Sequence, residues 1–258
     1  MVAVLMRAGV HAGRRMRLRE MRGSDELRAM EGDPVDLMRD LLEPCGAGDL
    51  RPGELERVTL SDRDRVLCAL YGQALGDRVE FQNACAECGE SFEVALSLSE
   101  LAAEVLCAHG SLRCVPDEDG FYSMEWGSSF RLPTLGDQRE LWGLEREDVE
   151  RELLERCVRR AVPGENIDAL MEQVGPVLDL DLSASCPMCE SAQGVPFEIQ
   201  QYFHSALSRE RRWLTRETHR LASAYGWTLA EILHLPRSLR REHVALVEGE
   251  RFARGVRG

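Results

Sequence analysis

Apolar positions along this chain repeat with two different periods, and the switches between them outline its elements. From Ser24 onward, Leu27, Met30, Leu37, Met38, Leu41 and Leu42 recur three or four residues apart. That spacing predicts helix over 24–43, split in two by Gly32 and Pro34. A Pro/Gly-rich stretch, EPCGAGDLRPGE, follows. In LSDRDRVLCALYGQALGD, Ser61 with Asp64 three residues on predicts a capped helix start. Val66, Leu67, Leu70, Tyr71 and Ala74 form one stripe, and Gly76 ends the helix. The period then drops to two. Val79 and Phe81 alternate before a turn, and Phe92, Val94, Leu96 and Leu98 alternate after it. The same frame returns later, with Leu178, Leu180 and Leu182 before a turn and Val195, Phe197 and Ile199 after it. Alternation on both sides of a short turn predicts two β-hairpins.

Residues 99–176, between the hairpins, read as a folded insert. The pattern predicts a helix near 99–108, strands near 112–115 and 121–132 around the acidic turn PDEDG, and helices near 135–143, 147–161 and 165–174. Beyond the second hairpin, helical spacing runs through Tyr202, Phe203, Ala206, Leu207, Trp213, Leu214, Leu221 and Tyr225, and Gly226 ends it. Thr228 with Glu231 makes a capping box for a short helix, Pro236 stops that helix, and Ser238 caps a last one running to Glu248. The expected fold class is α+β. Its parts are a basic N-terminal arm (1–22), a helical region with the first hairpin (23–98), an inserted α/β subdomain (99–176), the second hairpin (177–200) and a helical C-terminal tail (201–258).

Each hairpin turn holds a Cys-x-x-Cys pair, Cys85 with Cys88 and Cys186 with Cys189. Nine cysteines is an odd number, and nothing in the sequence directs the chain to an oxidising compartment. Metal ligands and core thiols therefore explain them better than disulfides. Two tight turns with two thiolates each supply the four sulfurs that tetrahedral zinc takes at about 2.3 Å per bond. A full sulfur shell leaves no open position and zinc has no redox chemistry, so one structural zinc per chain is expected. The hairpins would then form a small zinc ribbon from which 99–176 bulges. A rubredoxin-like iron site takes the same ligands, but nothing in the chain suggests electron transfer, and neither motif has the βαβ setting of a redox pair. Cys45, Cys68, Cys107, Cys114 and Cys157 stand apart and read as small hydrophobes. The grouping of Cys107, His109 and Cys114 matches no common metal spacing.

Charge changes the picture of possible partners. All 32 basic residues are arginine, and they are unevenly placed. Residues 1–22 carry six Arg against Glu20, residues 205–258 carry eleven Arg against six Glu, and the stretch between carries 15 Arg against 38 acids, for a net −13. Such an acidic body is repelled by phosphate backbones, so no nucleic-acid partner is expected. No apolar run nears the roughly 20 residues that span a bilayer. At the start, the apolar patch precedes its arginines, the reverse of a signal peptide, so a cytoplasmic chain is expected. Residues 1–22 read as a frayed arm, or as a stretch before a true start at Met16.

Catalytic signatures are missing from the sequence: there is no Gly-rich phosphate loop, no HExxH and no Gly-x-Ser-x-Gly. His11, His109, His204, His219, His234 and His243 are scattered, and acidic pairs such as Glu145 and Glu147 lie on charged helix faces. The reading is a non-enzyme. Tyr202, Phe203, Trp213, Tyr225 and Trp227 give the tail an aromatic stripe of the kind that anchors interfaces, unless those rings pack within the chain.

The assembled pattern resembles a known family. Its pieces are LREMRGSDEL, then LSDRDRVLCALYGQALGDRVEFQNACAECGESFEVALSL, FRLPTLGD, LDLDLSASCPMCESAQGVPFEIQQYF and YGWTLAEILHLPRSLRREHVALVE, together most of 17–250. They resemble the zinc-ribbon baseplate proteins of contractile phage tails and phage-derived contractile injection systems, loosely related to a T-even phage baseplate hub protein. The resemblance places Cys85, Cys88, Cys186 and Cys189 at the family's knuckle positions, with Glu190 where Gly commonly follows. It implies a structural or assembly role among baseplate, hub and spike subunits, in the cytoplasm and within a phage tail-like particle. The alternative reading is a zinc-ribbon nucleic-acid-binding or transcription accessory protein. That reading predicts basic residues beside the hairpins, where Glu80, Glu87, Glu90, Glu93 and Glu190 stand instead.

Overall fold

A computed structural model describes residues 1–30, 32, 34–107, 115–125 and 127–255 of the chain. In chain order the elements are β1 (Val2–Leu5), β2 (Arg15–Leu18), α1 (Gly23–Ala29), α2 (Pro34–Leu41), α3 (Leu60–Leu75), β3 (Arg78–Ala84) and β4 (Ser91–Ser97). Next come α4 (Leu98–Cys107), β5 (Phe121–Ser123), β6 (Ser129–Arg131), α5 (Leu135–Glu140), α6 (Arg146–Cys157), β7 (Val158–Arg160) and α7 (Ile167–Val174). The chain closes with β8 (Asp179–Ser185), β9 (Ala192–Glu198), α8 (Ile199–Tyr225), α9 (Leu229–His234) and α10 (Arg237–Gly255). The protein is mixed α and β, with its strands in small antiparallel sheets. Two compact units are present, one made of residues 1–2, 18–43 and 201–258, the other of residues 3–17 and 44–200.

Within the larger unit, the first turn of α3 is a junction. Thr59, in extended backbone, caps the helix by accepting the Asp62 N–H, and it also bridges Thr134. This corrects the expectation that Ser61 is the cap: Ser61 lies inside the helix and is buried. Asp62 is free to accept the backbone N–H groups of Arg7 at 2.8 Å and Ala8 at 3.0 Å. Asp64 accepts the Leu178 N–H at 2.7 Å and pairs with Arg63, whose Nη1 donates to Gln138 and Gln200. Burial pushes both carboxyls above the usual range. Their partners offset that penalty, because a buried charge is tolerated only when paired and hydrogen-bonded. One helical turn thereby ties together the N-terminal segment, α5, the entry to β8 and the start of α8.

The three-stranded sheet β5–β6–β7 packs through Tyr122, Met124, Phe130 and Leu132 against Ile167 and Ala8, and the Tyr122 hydroxyl accepts the Gly9 N–H at 2.7 Å. Residues 2–18 are thus not a frayed arm. β1 pairs with β2, and Met6 and Met16 are fully buried. The helix expected over 147–161 stops at Cys157, where Val158–Arg160 turn to pair with β6. Leu98 and Ile199 are first residues of helices, so each hairpin runs straight into one. The strand expected near 112–115 and the Cys107, His109 and Cys114 grouping fall outside the described residues and side chains.

The smaller unit is held by a buried charge network. Glu26 of α1 accepts from Arg237 Nη1 at 2.6 Å and from Arg240 Nη2 at 2.7 Å, and Arg240 Nε donates to Glu217 of α8 at 2.7 Å. Glu26 and Arg240 are both fully buried. Beside them Leu221, Ile232, Val244 and Val247 form an apolar cluster with Trp227 against it. Gly226, at φ 69, ends α8, and the Thr228–Glu231 capping box opens α9. Ser238 is not the cap of the last helix. It lies in the first turn of α10, where its N–H and hydroxyl donate to Glu20.

Removing one member of this network should be costly. Arg240→Met leaves Glu26 and Glu217 short of a partner, so urea unfolding should show a loss of about 3–5 kcal/mol. The exposed Arg39→Met, on an i,i+3 surface pair with Asp36, should cost about 0.5 kcal/mol or less.

Candidate metal centre

Two hairpins build the site, each by the same local rules. β3 and β4 pair from Arg78↔Ser97 to Ala84↔Ser91, and β8 and β9 from Asp179↔Glu198 to Ser185↔Ala192. Beyond the last pair of each, the chain makes a tight knuckle. In the first, the Cys85 N–H donates to Glu90 O and the Gly89 N–H to Cys85 O, both at 2.9 Å. In the second, the Cys186 N–H donates to Ser191 O and the Glu190 N–H to Cys186 O, again at 2.9 Å. The residue after the second cysteine must adopt positive φ: 74° at Gly89 and 60° at Glu190. Among the described residues Glu190 is the one non-glycine in that region. The departure visible in the sequence is therefore a side chain held where glycine is favoured.

Phe81 of β3 stacks on Phe197 of β9 at 6.2 Å between ring centroids, and Phe92, Val94 and Ala184 pack around the first cysteine of each knuckle. Cys85 and Cys186 are buried, and Cys88 and Cys189 are exposed. The sulfurs interleave across the hairpins: Cys85 Sγ lies 3.6 Å from Cys189 Sγ, and Cys88 Sγ lies 3.8 Å from Cys186 Sγ. All four fall within 4.8 Å of one another. A tetrahedron of sulfurs around zinc at about 2.3 Å has edges of about 3.8 Å. These separations are far beyond the about 2.05 Å of a disulfide. The cluster is compatible with one zinc ion.

The electrostatics point the same way. Backbone N–H groups of Cys88 and Glu87, with the Gln193 amide, hold the Cys85 thiol down to about 6. Cys189, despite the Ser191 N–H aimed at it, is pushed up to about 12 by the sulfurs of Cys85, Cys88 and Cys186. Cys88 is raised too, against the help of the Glu90 N–H, by its sulfur neighbours Cys85 and Cys186. One thiolate forms readily and its neighbours resist, which is what a dication removes. Gln193 is a residue the motif search misses. Its Oε1 accepts the Ala86 N–H at 3.2 Å, bridging the second hairpin to the first knuckle. Nothing in its spacing marks it, because a polar residue at a strand start is ordinary.

The remaining candidates separate. Burial pushes the Cys68 thiol up to about 12 and Cys157 up to about 11, so both are inert core groups, whereas Cys45 is exposed and does not fit the core reading. His204 Nε2 is hydrogen-bonded with the Met30 carbonyl at 2.8 Å. Of the five tail aromatics, Phe203 is buried and Tyr202 half-buried under Arg209. Trp227 packs on the apolar cluster and contacts Tyr225 and His243, while Trp213 and Tyr225 stay 42% and 41% exposed. No helix among the described residues is long and apolar enough to cross a membrane. Compared with protein-family models, curated proteins and solved structures, the chain finds no match.

Elemental analysis of purified protein should give close to one zinc per chain; no metal, or iron with visible colour, overturns the site. Ser in place of Cys85, Cys88, Cys186 or Cys189 should abolish binding and destabilise severely, since structural zinc contributes on the order of 10 kcal/mol in apparent binding energy. Cys68→Ser should cost about 1–3 kcal/mol and leave zinc in place. Glu190→Gly should stabilise the zinc-loaded protein by about 1 kcal/mol in denaturant unfolding, and Gly89→Glu should do the reverse.

Proposed function

We propose that this protein is a non-enzymatic structural or assembly component of the baseplate of a contractile, phage tail-like injection system, and that its four cysteines form a structural zinc ribbon. The observation that carries the reading is the closed four-sulfur cluster at Cys85, Cys88, Cys186 and Cys189. A metal with four protein ligands has no place for a substrate, so it braces the fold. The family resemblance of residues 17–250 supplies the setting. Its partners are other baseplate, hub and spike subunits, met in the cytoplasm during assembly of the particle. The nucleic-acid alternative needs basic knuckles, and Glu87, Glu90 and Glu190 occupy them.

A rigid small β module suits a part that must hold neighbours in register. Trp213 and Tyr225 are the tail rings left open for contact. The last two helices also carry Ile232, Val244 and Arg240 of the smaller unit's core, so the test must change single side chains and leave the helices in place. The informative variant is Trp213→Ala with Tyr225→Ala. Deleting the gene in its host should leave tube and sheath subunits produced but few contractile particles assembled. The double variant should keep zinc and lose co-purification with other baseplate subunits. Particles of normal length and activity without the gene sink the reading.

A further inference from the structure

Many arginines among the described residues are paired with carboxylates. On the tail, Arg220 pairs with Glu248, and Arg237, Arg240 and Arg241 pair with Glu26, Glu210 and Glu217. Arg209, Arg211, Arg212 and Arg216 of α8 differ, for among the described residues none has a carboxylate within 4.0 Å. They stand within about two turns, and three of them lie over rings. Arg209 is 5.5 Å from the Tyr202 centroid, and Arg212 and Arg216 are 5.5 and 5.0 Å from that of Trp213. Stacking holds a guanidinium in place while leaving its in-plane N–H groups free for an acid. Ser208 and Thr215 complete a shallow groove with Arg209, Arg211 and Arg212.

A face of opposite character lies on the other unit. Trp142 is 75% exposed, Leu144, next but one to it, is 48% exposed, and Leu154 of α6 is 44% exposed. By spacing, Glu147, Glu150, Leu154 and Glu155 fall on one side of α6 with Arg151 among them, and all five are exposed. Open apolar side chains set among acids mark a surface that another surface covers. We propose that the chain associates with copies of itself, the arginine–tryptophan face of α8 on one copy seated on the acidic, apolar face of α6 on the next. The charges are complementary, Trp213 and Leu154 stand open on the two faces, and both faces belong to this chain. A contact between unlike faces is heterologous, so it repeats from copy to copy until a ring closes. The inference does not rest on the baseplate reading, and it is tested on purified protein.

Sedimentation velocity of the zinc-loaded full chain reads it directly. Mass should rise with concentration at about 0.1 M salt and fall back toward monomer at about 1 M, where the Debye length drops from about 10 to 3 Å. The double reversal Arg212→Glu with Arg216→Glu should be monomeric, as should Glu147→Arg with Glu155→Arg, both retaining zinc. Mixed together, the two reversed proteins should associate again, since each then offers the other a complementary face. A wild-type monomer at every concentration in low salt overturns the proposal. So does association untouched by the α6 reversal, a mixture that stays monomeric, or a patch that instead binds a labelled single-stranded oligonucleotide and loses it on α8 reversal.

Discussion

Cys88 and Cys186 stand 98 positions apart in the chain, yet their sulfurs approach to 3.8 Å, and much of the larger unit is arranged to permit that. A two-stranded hairpin is marginal in water by itself. Here each hairpin has a thin apolar lining, Phe81 and Phe92 on one, Ala184 and Phe197 on the other. Bringing four thiols within 4.8 Å adds mutual repulsion as soon as more than one ionises. A dication bound there would convert that repulsion into attraction. Closing a longer loop costs only slightly more than closing a shorter one, so an intervening segment is tolerated when it folds by itself. The three-stranded sheet packs within that segment, and Ala8 of the N-terminal stretch completes its apolar cluster.

Away from the sulfurs, both units rely on buried ion pairs where many proteins place more aliphatic packing. The Arg63–Asp64 pair and the Glu26–Arg237–Arg240 set are almost wholly out of solvent. Such pairs add less stability than their short distances suggest, because desolvation offsets much of the attraction. What they specify is geometry. A guanidinium donates along fixed in-plane directions, so Arg63 can be satisfied by Asp64, Gln138 and Gln200 together only in one arrangement of their elements. Lysine, a compact point charge, would not impose that constraint. Among the described residues the Arg240 Nη1 and Arg237 Nε groups have no hydrogen-bond partner, and an unmade bond of this kind carries a desolvation cost.

The parts of the fold legible in the sequence are those set by local periodicity. Alternation around each Cys-x-x-Cys turn marks β3, β4, β8 and β9, and the Thr228–Glu231 box marks α9, because both signals are complete within a few residues. Three features escape for a shared reason. Thr59, Leu60, Ser61 and Asp62 contain three residues able to cap, and the choice of Thr59 goes with its bridge to distant Thr134. Val158–Arg160 are too few to show a period, and β6 recruits them. Residues 2–18 look like a loose basic end until Asp62 and Tyr122 supply acceptors for Arg7, Ala8 and Gly9. Of the candidate metal cluster, the four cysteines were legible as a group and Gln193 was not, since its role depends on which hairpin lies opposite.

A metal ion held by all four sulfurs would leave no open position for a substrate, so the proposed role places its contacts on the surface. The arginines sort that surface by their partners. In a chain with net charge −13 and acids in excess, many guanidiniums find a carboxylate, as those of Arg19, Arg131 and Arg159 do. Leaving Arg209, Arg211, Arg212 and Arg216 together without one means that α8 keeps acids away from them. The acids of α8, Glu210 and Glu217, turn toward Arg237, Arg240 and Arg241 instead. One network thus does two things. It locks α1, α8 and α10 together, and by consuming the carboxylates of α8 it leaves the outer turns of that helix strongly positive beside an open tryptophan.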